Sequence, residues 1–339
     1  MVTRVDGNGR LVGITGVGIR VPERILTNAE LEQMVETSDE WIVERTGIRE
    51  RRIAAPEEAS SDLAIPAARV ALERAGADPS EIDLVIVATS TPDMVFPSTA
   101  VLVAQELGMP RAAAYDLLAA CTGFVYALAQ GHGSVSSGLA RKALVVGVDV
   151  MSRITNWHDR GTCILFGDGA GAVVLEPVRD GGFVGFELGA DGSAGDDLCV
   201  PAGGSRAPAS RETVEGDLHT TRMNGSEIFR YATRVMVDSA RAVLETCGAD
   251  VADVDLYVAH QANKRIVDYA AEKLGLPPEK VFLNIERYGN TSAASIPICL
   301  AEAEDQGLLD AGTRVLMTGV GGGLTWGSAY TVWPGRNGA

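Results

Sequence analysis

An internal duplication constrains this chain more than any other feature of its sequence. Residues 67–89 and 239–261, compared without gaps at an offset of 172, share nine of 23 positions. Each segment has the pattern of an amphipathic helix, a Gly-Ala-Asp stop and a strand. The same offset aligns residues 142–148 with 314–320, where Leu, Gly and Val recur. One offset kept over two separated segments predicts two α/β halves of common origin.

We place the first half at residues 1–180 and the second at 181–339. Because strands and helices alternate in each half, the fold class is α/β with layered sheets. Corresponding loops of two such halves meet at their interface, where pockets preferentially form. Residues 191–222 are rich in Gly, Ser, Arg and Pro, which predicts a surface loop. This loop is either plain solvent-exposed chain or a lid at the rim of a tunnel.

Composition excludes several classes of function. The 339 residues are 46% apolar and include 29 basic and 45 acidic side chains, for a net charge of −16. So acidic a chain is a poor candidate for binding nucleic acid or an anionic membrane. No apolar run reaches the length of a membrane span, and residues 1–7 lack the apolar core of a signal peptide. Five scattered cysteines without a CxxC pair predict a reduced, soluble, cytoplasmic protein with no disulfide framework and no metal site.

Cys121 lies between a run that predicts a short buried strand, residues 112–118, and a helical pattern that ends at Gly138. This places the thiol at the first turn of a helix, where backbone N–H groups and the helix dipole lower a thiol's pKa. A lone apolar cysteine is more typical of a core position. At the offset of 172, however, Cys121 aligns with Ala293, three residues after Asn290. The thiol and the asparagine are therefore expected in corresponding loops.

Three further segments add groups suited to acyl transfer. His260 follows an apolar strand pattern and is predicted to open a helix, whose N-terminus keeps imidazole neutral; the alternative is a structural helix cap. Asn290 is either a helix N-cap or an amide donor for a substrate carbonyl. Gly321–Gly323 follows a strand and allows backbone N–H groups to approach a ligand, as an oxyanion hole requires. Cys, His and Asn in this order, with the glycine loop, predict a cysteine-based acyl-transfer site.

Taken together, these segments resemble the β-ketoacyl-acyl-carrier-protein synthase III family, which has the thiolase fold. The combination is specific, although any one segment alone would be a weak signal. The resemblance implies a thiolase-like layered αβαβα fold built from the two duplicated halves. The matching segments occur in family order and cover most of the chain: Ser38–Arg49, Ala120–Phe124, His260–Asn263, Gly289–Ala293 and Gly321–Gly323.

The resemblance implies a two-step condensation. Cys121 takes a short acyl group from an acyl-CoA, which is a substrate, so no permanently bound cofactor is expected. His260 and Asn290 then hydrogen-bond the thioester carbonyl of malonyl acyl carrier protein. The enolate formed on decarboxylation attacks the Cys121 thioester and gives 3-ketoacyl carrier protein. The backbone N–H groups of Cys121 and Gly322 are expected to hold the tetrahedral oxyanions.

The resemblance also assigns a CoA-binding set. Trp41 and Arg160 match positions that sandwich the CoA adenine, which flat aromatic and guanidinium faces can do. For Trp41 the alternative is an apolar anchor of an amphipathic helix. Arg45 matches a position near the CoA phosphates. Gly225 and Asn263 match contacts to the pantetheine arm.

Four residues match acyl-pocket positions: Phe96, Met151, Phe166 and Val320. In the homodimer that the family implies, Phe96 and Met151 are expected to reach into the site of the partner subunit. Val320 stands where acetyl-specific members often carry a bulkier aromatic side chain. We therefore expect a pocket that admits starters longer than acetyl, such as propionyl, butyryl or isobutyryl.

Lys264 and Arg265 match the helix on which the carrier protein docks, and they form a local basic spot on an acidic chain. Ser226 and Glu272 replace an amide and a basic residue expected in the pantetheine and docking contacts. These departures favour the priming of an aromatic polyketide pathway, but initiation of fatty acid synthesis stays open.

Four other classes of protein share part of this pattern. A papain-like hydrolase also orders Cys, His and Asn, but it would lack the duplication. A degradative thiolase would need a second cysteine near the C-terminus, whereas the last one, Cys299, falls in a predicted helix. A non-catalytic partner subunit usually loses the nucleophile. The main alternative is an acyl-CoA-dependent acyltransferase that forms an ester or amide from the same acyl-Cys121 intermediate.

Overall fold

The computed structural model describes residues 1–5 and 10–335. In it, each duplicated segment forms the helix and the strand that its sequence predicts. Asp6 and Gly7, which entered the argument on the N-terminus, lie outside the described residues. In chain order the strands are β1 (Val2–Arg4), β2 (Val12–Arg20), β3 (Arg24–Thr27), β4 (Glu50–Ile53), β5 (Leu84–Ala88), β6 (Ala113–Leu117), β7 (Ala143–Val150), β8 (Asp168–Pro177), β9 (Gly182–Ala190), β10 (Leu198–Cys199), β11 (Arg222–Met223), β12 (Leu256–Ala259), β13 (Arg314–Gly321) and β14 (Thr325–Val332).

Several helices end as their sequence predicts. Gly76 and Gly248 follow the two duplicated helices and adopt the left-handed conformation that stops a helix. The helices are α1 (Asn28–Leu31), α2 (Asp39–Thr46), α3 (Ser60–Ala75), α4 (Thr99–Glu106), α5 (Gly123–Ser136), α6 (Arg160–Cys163), α7 (Arg211–Glu215), α8 (Gly225–Cys247), α9 (Lys264–Leu274), α10 (Ile285–Tyr288) and α11 (Ser295–Asp305).

The chain builds two mixed five-stranded sheets with the same central order. The first sheet runs β2-β8-β7-β5-β6, and the second runs β1-β9-β14-β13-β12. In each sheet a parallel pair, β5 with β7 or β12 with β13, is followed by an antiparallel hairpin partner, β8 or β14. The edges differ, because β1 from the first half of the chain joins β9 of the second sheet. The predicted boundary between residues 180 and 181 falls between β8 and β9 and stays a prediction.

Helices form three layers around the two sheets. The corresponding helices α5 and α11 pack between the sheets in one apolar cluster. Helices of this kind are apolar around most of their circumference, as burial on both sides requires. Helices α3 and α4 cover the outer face of the first sheet, and α8 and α9 cover that of the second. This is the αβαβα layering that the family resemblance implies.

Two segments differ from their sequence-based expectation. Ala113–Leu117 does form a strand, but it lies at the edge of the first sheet, where Tyr115 is 40% exposed. Among the described strands it pairs only with β5, and the expectation of a buried strand is wrong. Residues 191–222 are not one loop, because they contain a 3-10 segment, α7 and the small β10–β11 sheet. Leu198 and Met223 of that small sheet line the cavity described below, which holds Cys121.

A helix that crosses a bilayer must be long and largely apolar. Within residues 1–5 and 10–335, no helix is both long enough and apolar enough to cross a membrane.

Candidate active site

Four segments from the two halves meet around one cavity of about 570 Å³. Its wall includes Cys121, His260, Asn290 and the glycine loop Gly321–Gly323. The three side chains are only 8%, 1% and 6% exposed, so each faces the cavity from a largely buried position. The structure thus brings together the groups that the sequence analysis singled out. In the described part of the chain, no group of three or more His, Cys, Asp or Glu residues could hold a metal ion.

Cys121 lies in a 3-10 turn, Ala120–Thr122, that leads directly into α5 at Gly123. Burial raises the pKa of its thiol to about 12, the hydroxyl of Ser292 acts against this rise, and the carboxylate of Asp149 adds to it. The expectation of a lowered pKa is therefore wrong. The helix dipole does favour a thiolate, but loss of hydration in this buried turn disfavours it more strongly.

His260 follows the last residue of β12, and α9 begins only at Lys264 with Asn263 as its cap. The imidazole is therefore not at a helix N-terminus, contrary to expectation. Burial alone lowers its pKa to about 3, so the ring is neutral at physiological pH, as predicted, but for a different reason. Its Nδ1 lies 2.7 Å from Oγ of Ser295, which leaves Nε2 as the ring nitrogen for a ligand in the cavity.

Asn290 is held by its backbone and by one side of its amide. Its N–H donates to the carbonyl of Leu165 at 2.8 Å, and its carbonyl accepts from the N–H of Gly167 at 3.1 Å. The side-chain Oδ1 accepts from the N–H of Ser292 at 2.9 Å. Nδ2 is therefore the amide atom left to donate into the cavity, and Asn290 is not the cap of α11, which begins at Ser295.

The glycine loop forms the turn between β13 and β14 and packs against the nucleophile's turn. A Cβ at Gly321 would lie 2.7 Å from the backbone N of Cys121, and one at Gly322 would lie 3.1 Å from the carbonyl O of Leu198. A side chain at the first position would therefore force the backbone apart. Both N–H-bearing turns border the same cavity, which an oxyanion hole requires.

The four predicted acyl-pocket residues fall in two places. Met151, Phe166 and Val320 line the cavity of their own chain. Met151 is 5% exposed, which does not fit the expectation that it reaches into a partner subunit. It starts the 3-10 turn after β7, and its side chain packs in the cluster that contains Phe166. Phe96 is 83% exposed and lies outside this cavity.

The predicted CoA-binding residues form a line from the surface to the cavity. The guanidinium groups of Arg45 and Arg160 lie 4.7 and 4.8 Å from the ring centroid of Trp41. The side chain of Asn263 donates to the carbonyl of Arg45 at 3.0 Å. Asn263 and Gly225 line the cavity itself. The five positions are therefore neighbours, with the aromatic and guanidinium groups outside and the pantetheine positions inside.

The predicted carrier-protein contacts lie at the start of α9, beside the cavity. Lys264 is exposed and its Nζ lies 2.6 Å from Oδ2 of Asp268, so part of its charge is compensated. The guanidinium of Arg265 lies 5.3 Å from the ring centroid of Phe229, a residue of the cavity wall. Arg265 thus stands at the cavity rim.

The sequence analysis missed three polar residues around these groups: Asp149, Ser292 and Ser295. Asp149 is completely buried at the end of β7 and accepts a hydrogen bond from the N–H of Ala293 at 3.2 Å. Ser295 contacts the imidazole of His260. The duplication held the signal that could have found Asp149, because at the offset of 172 it aligns with Gly321 of the glycine loop.

Comparisons with known proteins agree with this geometry. Residues 115–192 match the family model 3-oxoacyl-[acyl-carrier-protein (ACP)] synthase III, and residues 244–333 match the model of its C-terminal part. A β-ketoacyl-[acyl-carrier-protein] synthase III of Desulfitobacterium hafniense is 55% identical over 96% of this chain and 98% of its own.

Solved structures extend the same likeness to the fold. The 3-oxoacyl-[acyl-carrier-protein] synthase III of Aquifex aeolicus has a TM-score of 0.88 at 45% identity, over 95% of this chain and 100% of its own. The priming β-ketosynthase of the R1128 polyketide pathway has a TM-score of 0.90 at 37% identity, over 98% and 99%. These likenesses confirm the thiolase-like α/β fold. The chain belongs to the 3-oxoacyl-[acyl-carrier-protein] synthase III family.

Proposed function

We propose that this protein is a condensing enzyme that joins a short acyl group from acyl-CoA to malonyl acyl carrier protein, giving 3-ketoacyl carrier protein. The observation that carries the proposal is the convergence of Cys121, His260, Asn290 and the glycine loop on one cavity. A thiol nucleophile, two neutral donors and adjacent backbone N–H groups are the parts that such chemistry needs.

In the first half-reaction, Sγ of Cys121 attacks the acyl carbonyl and the bond to the CoA sulfur breaks. Because burial raises the pKa of the thiol, Cys121 is protonated before the attack, and its proton passes to the CoA sulfur as that sulfur leaves. The N–H groups of Cys121 and Gly322 stabilise the tetrahedral oxyanion between these two events.

In the second half-reaction, the malonyl carboxylate leaves as CO₂ and its bonding electrons form an enolate. Nε2–H of His260 and Nδ2–H of Asn290 donate to the enolate oxygen. A His260 pKa of about 3 means that the ring acts as a neutral donor over the whole physiological range. The enolate carbon then attacks the thioester carbonyl, and the sulfur of Cys121 leaves as a thiolate, which takes a proton from solvent to restore the thiol.

Substrate recognition follows the line of residues described above. CoA is proposed to lie along Trp41, Arg45 and Arg160, with its pantetheine arm past Gly225 and Asn263. The guanidinium groups of Arg45 and Arg160 both lie within stacking distance of the Trp41 ring. Adenine would take the place of one of them on the face of that ring. No permanently bound cofactor is needed for this chemistry.

Met151, Phe166 and Val320 are proposed to set the length of the starter. Valine at position 320 supports starters longer than acetyl, as the sequence analysis expects. Initiation of fatty acid chains is the first candidate pathway, since identity to the D. hafniense synthase is 55%. Polyketide priming is the second, since identity to the R1128 enzyme is 37%. An ester- or amide-forming acyltransferase is not favoured by either likeness.

A homodimer in the cytoplasm is the proposed form of the protein. Val95 and Phe96 are 89% and 83% exposed, and β6 lies at a sheet edge with one side unpaired in its sheet. Exposed apolar side chains of this size commonly mark an interface. Phe96 would there meet the partner's cavity, and malonyl carrier protein would dock at Lys264 and Arg265.

Intact-protein mass spectrometry tests the proposal. After incubation with acetyl-, propionyl-, butyryl- or isobutyryl-CoA, we expect a mass gain equal to the acyl group. The gain should vanish in Cys121→Ala and persist in Cys199→Ala, a matched control because Cys199 also lines the cavity. Subsequent malonyl carrier protein should remove the added mass and yield the 3-ketoacyl product. No gain with any of the four thioesters would refute the CoA-primed reaction.

A further inference from the structure

Asp149 is a buried carboxylate at the active site for which the reaction above gives no role. It is the penultimate residue of β7, is fully buried and lies close enough to Cys121 to raise the pKa of that thiol. Its hydrogen bonds connect loops from both halves of the chain. The inference drawn from them rests on the proposed function, because it concerns the second half-reaction.

The two oxygens of Asp149 have different partners. Oδ1 accepts from Oγ1 of Thr89 at 3.2 Å, the N–H of Ser90 at 2.7 Å, and the N–H and Oγ1 of Thr91, both at 3.1 Å. Oδ2 accepts from the N–H of Ala293 at 3.2 Å, and the carboxylate also accepts a hydrogen bond from the side chain of Ser292. One oxygen thus anchors the residue in the first half, and the other holds a loop of the second half.

That second-half loop has a backbone that needs support. Ser292 has a φ of 52°, a left-handed conformation that is unfavourable for a residue with a side chain. Such a conformation persists only where the surroundings fix it. The bond from Asp149 to the N–H of Ala293 fixes the next residue of the chain. The N–H of Ser292 is consequently aimed at Oδ1 of Asn290, at 2.9 Å.

We propose that Asp149 is a positioning residue that, through Ala293 and Ser292, orients the amide of Asn290 for enolate stabilisation. With Oδ1 occupied by Ser292, Nδ2 of Asn290 is directed into the cavity. If the loop relaxes, the amide can rotate and present its oxygen to the enolate, which repels it. Misplacement of a reacting or donating group by about 1 Å costs on the order of 100-fold in rate.

Asp149→Asn separates this role from general packing. The amide oxygen of the introduced side chain will face the four donors of Thr89, Ser90 and Thr91. The opposite rotamer would place the NH₂ group, itself a donor, against those four donors. The NH₂ then faces the N–H of Ala293, and only the link to the second half is lost. Removing the negative charge near Cys121 does not hinder acylation, since that charge disfavours the thiolate.

Asp168→Asn is the matched control. Asp168 is also fully buried and starts the neighbouring strand, opposite Val150. Its carboxylate accepts from the N–H of Ala54 and from the N–H and hydroxyl of Ser152. The Asp168 carboxylate is therefore also buried and hydrogen-bonded, but it makes no hydrogen bond to residues 290–293.

The experiment measures the two half-reactions separately in the wild type, Asp149→Asn, Asp168→Asn, Asn290→Ala and the double variant Asp149→Asn/Asn290→Ala. Rapid-quench mass spectrometry follows acylation of Cys121 by the acyl-CoA that the wild type accepts best. Single-turnover release of CO₂ follows the reaction of the preformed acyl-enzyme with a malonyl-loaded bacterial acyl carrier protein. Thermal unfolding is recorded for every variant.

We expect Asp149→Asn to acylate at the wild-type rate or faster and to lose about 10- to 100-fold in CO₂ release. In the Asn290→Ala background the same change should cost nothing further, because its target is gone. Equal losses in both half-reactions, or full additivity with Asn290→Ala, would overturn the proposal and leave Asp149 a packing residue like Asp168. A wild type that does not acylate would refute the proposed function itself, and this inference with it.

Discussion

The turns that precede α5 and α11 have the same backbone and different chemistry. At the offset of 172, Ala120 corresponds to Ser292, and these two residues have φ angles of 46° and 52°. Each begins a 3-10 turn that continues into a helix, at Gly123 or Ser295. The duplicated scaffold thus kept an unfavourable backbone conformation in both halves, although only one turn carries a nucleophile. Because both halves have this strained backbone, the strain is a property of the duplicated fold. The two turns differ in function because their side chains differ.

The strand that packs on each turn comes from the other half, and it ends differently in the two cases. Asp149 is the penultimate residue of β7 and accepts a hydrogen bond from the N–H of Ala293. The corresponding residue of β13 is Gly321, which lies against the N of Cys121 and has no side chain to bond it. One turn is therefore closed by a carboxylate, whereas the other leaves its N–H accessible to a developing oxyanion.

A second pair of positions shows the same division. His260 and Ser295 are in contact in the second half, and the corresponding residues of the first half are Ala88 and Gly123. A Cβ on Gly123 would lie 3.1 Å from Cβ of Ala88, so the space is filled without a polar group. The first half thus supplies the nucleophile and the second supplies the donors. The two halves share one backbone arrangement, and a few side-chain differences make one half the source of the nucleophile and the other the source of the donors.

Gly321→Ala should have the largest effect, because it places a side chain against the Cys121 turn, as Asp149 does against the Ala293 turn. The new Cβ would lie 2.7 Å from N of Cys121 and 3.0 Å from N of Thr122, so the backbone must shift. Loss of one oxyanion donor typically costs about 100- to 1,000-fold in rate. We expect Cys121 acylation to fall by that factor, measured as the rate of mass gain with acyl-CoA.

Gly133→Ala is the control for this substitution. Gly133 lies within α5, and a Cβ there meets nothing within 4 Å. A glycine-to-alanine change inside a helix should stabilise the fold by about 0.5–1 kcal/mol and leave acylation unaltered. If Gly321→Ala acylates as fast as this control, the open turn is not an oxyanion hole.

Ser295→Ala should have a smaller effect, because it removes a partner of His260 and not a donor itself. The hydroxyl lies 2.7 Å from Nδ1. We expect it to donate to Nδ1 and so hold the ring as the Nε2–H tautomer. Without it, the ring loses orientation, and we expect CO₂ release to fall about 10-fold with acylation of Cys121 unchanged. Ser295→Thr keeps the hydroxyl and should restore most of the rate. A loss confined to acylation would contradict this role.

The sequence predicted the duplication, the layering and the convergence of Cys121, His260 and Asn290, because these follow from periodicity and from one offset. It did not predict which groups contact each other across the halves. Ser295 lies 35 residues from its imidazole partner, and Asp149 lies 144 from Ala293. Contacts at such separations leave no local pattern, and only the aligned pairs hint at them.

The predicted direction of the pKa shift of the Cys121 thiol was wrong for a related reason. A strand-to-helix pattern locates the helix end, and hence its dipole, but it does not reveal that the second half covers this end. Gly319 and Gly321 of β13 pack against the turn that holds Cys121, and the resulting loss of hydration dominates. The position of His260 illustrates the same limit, since its neutral state follows from burial and not from α9.

The two central helices provide the finest comparison, through His132 of α5 and its counterpart Glu304 of α11. Glu304 is paired with Arg74 at 3.1 Å. His132 instead lies among Phe183 and Phe186, with ring centroids 5.8 and 5.4 Å away, and burial lowers its pKa to about 4. The folded protein therefore keeps this imidazole neutral where the unfolded chain would protonate it.

The free energy of unfolding should depend on pH through this residue. The contribution is complete above the unfolded pKa of about 6.5 and is lost as the pH falls toward 4, because the unfolded state then binds the extra proton. At pH 5 the loss is about 2 kcal/mol. His132→Leu and His132→Phe should both gain about this much on the wild type between pH 7 and pH 5, measured by denaturant unfolding. The two replacements differ in volume, so their packing changes stability by different amounts, but those amounts do not depend on pH. Neither replacement has a titrating group, so both should show the same pH-dependent gain. If each variant differs from the wild type by the same amount at pH 7 and pH 5, His132 is not the residue that protonates.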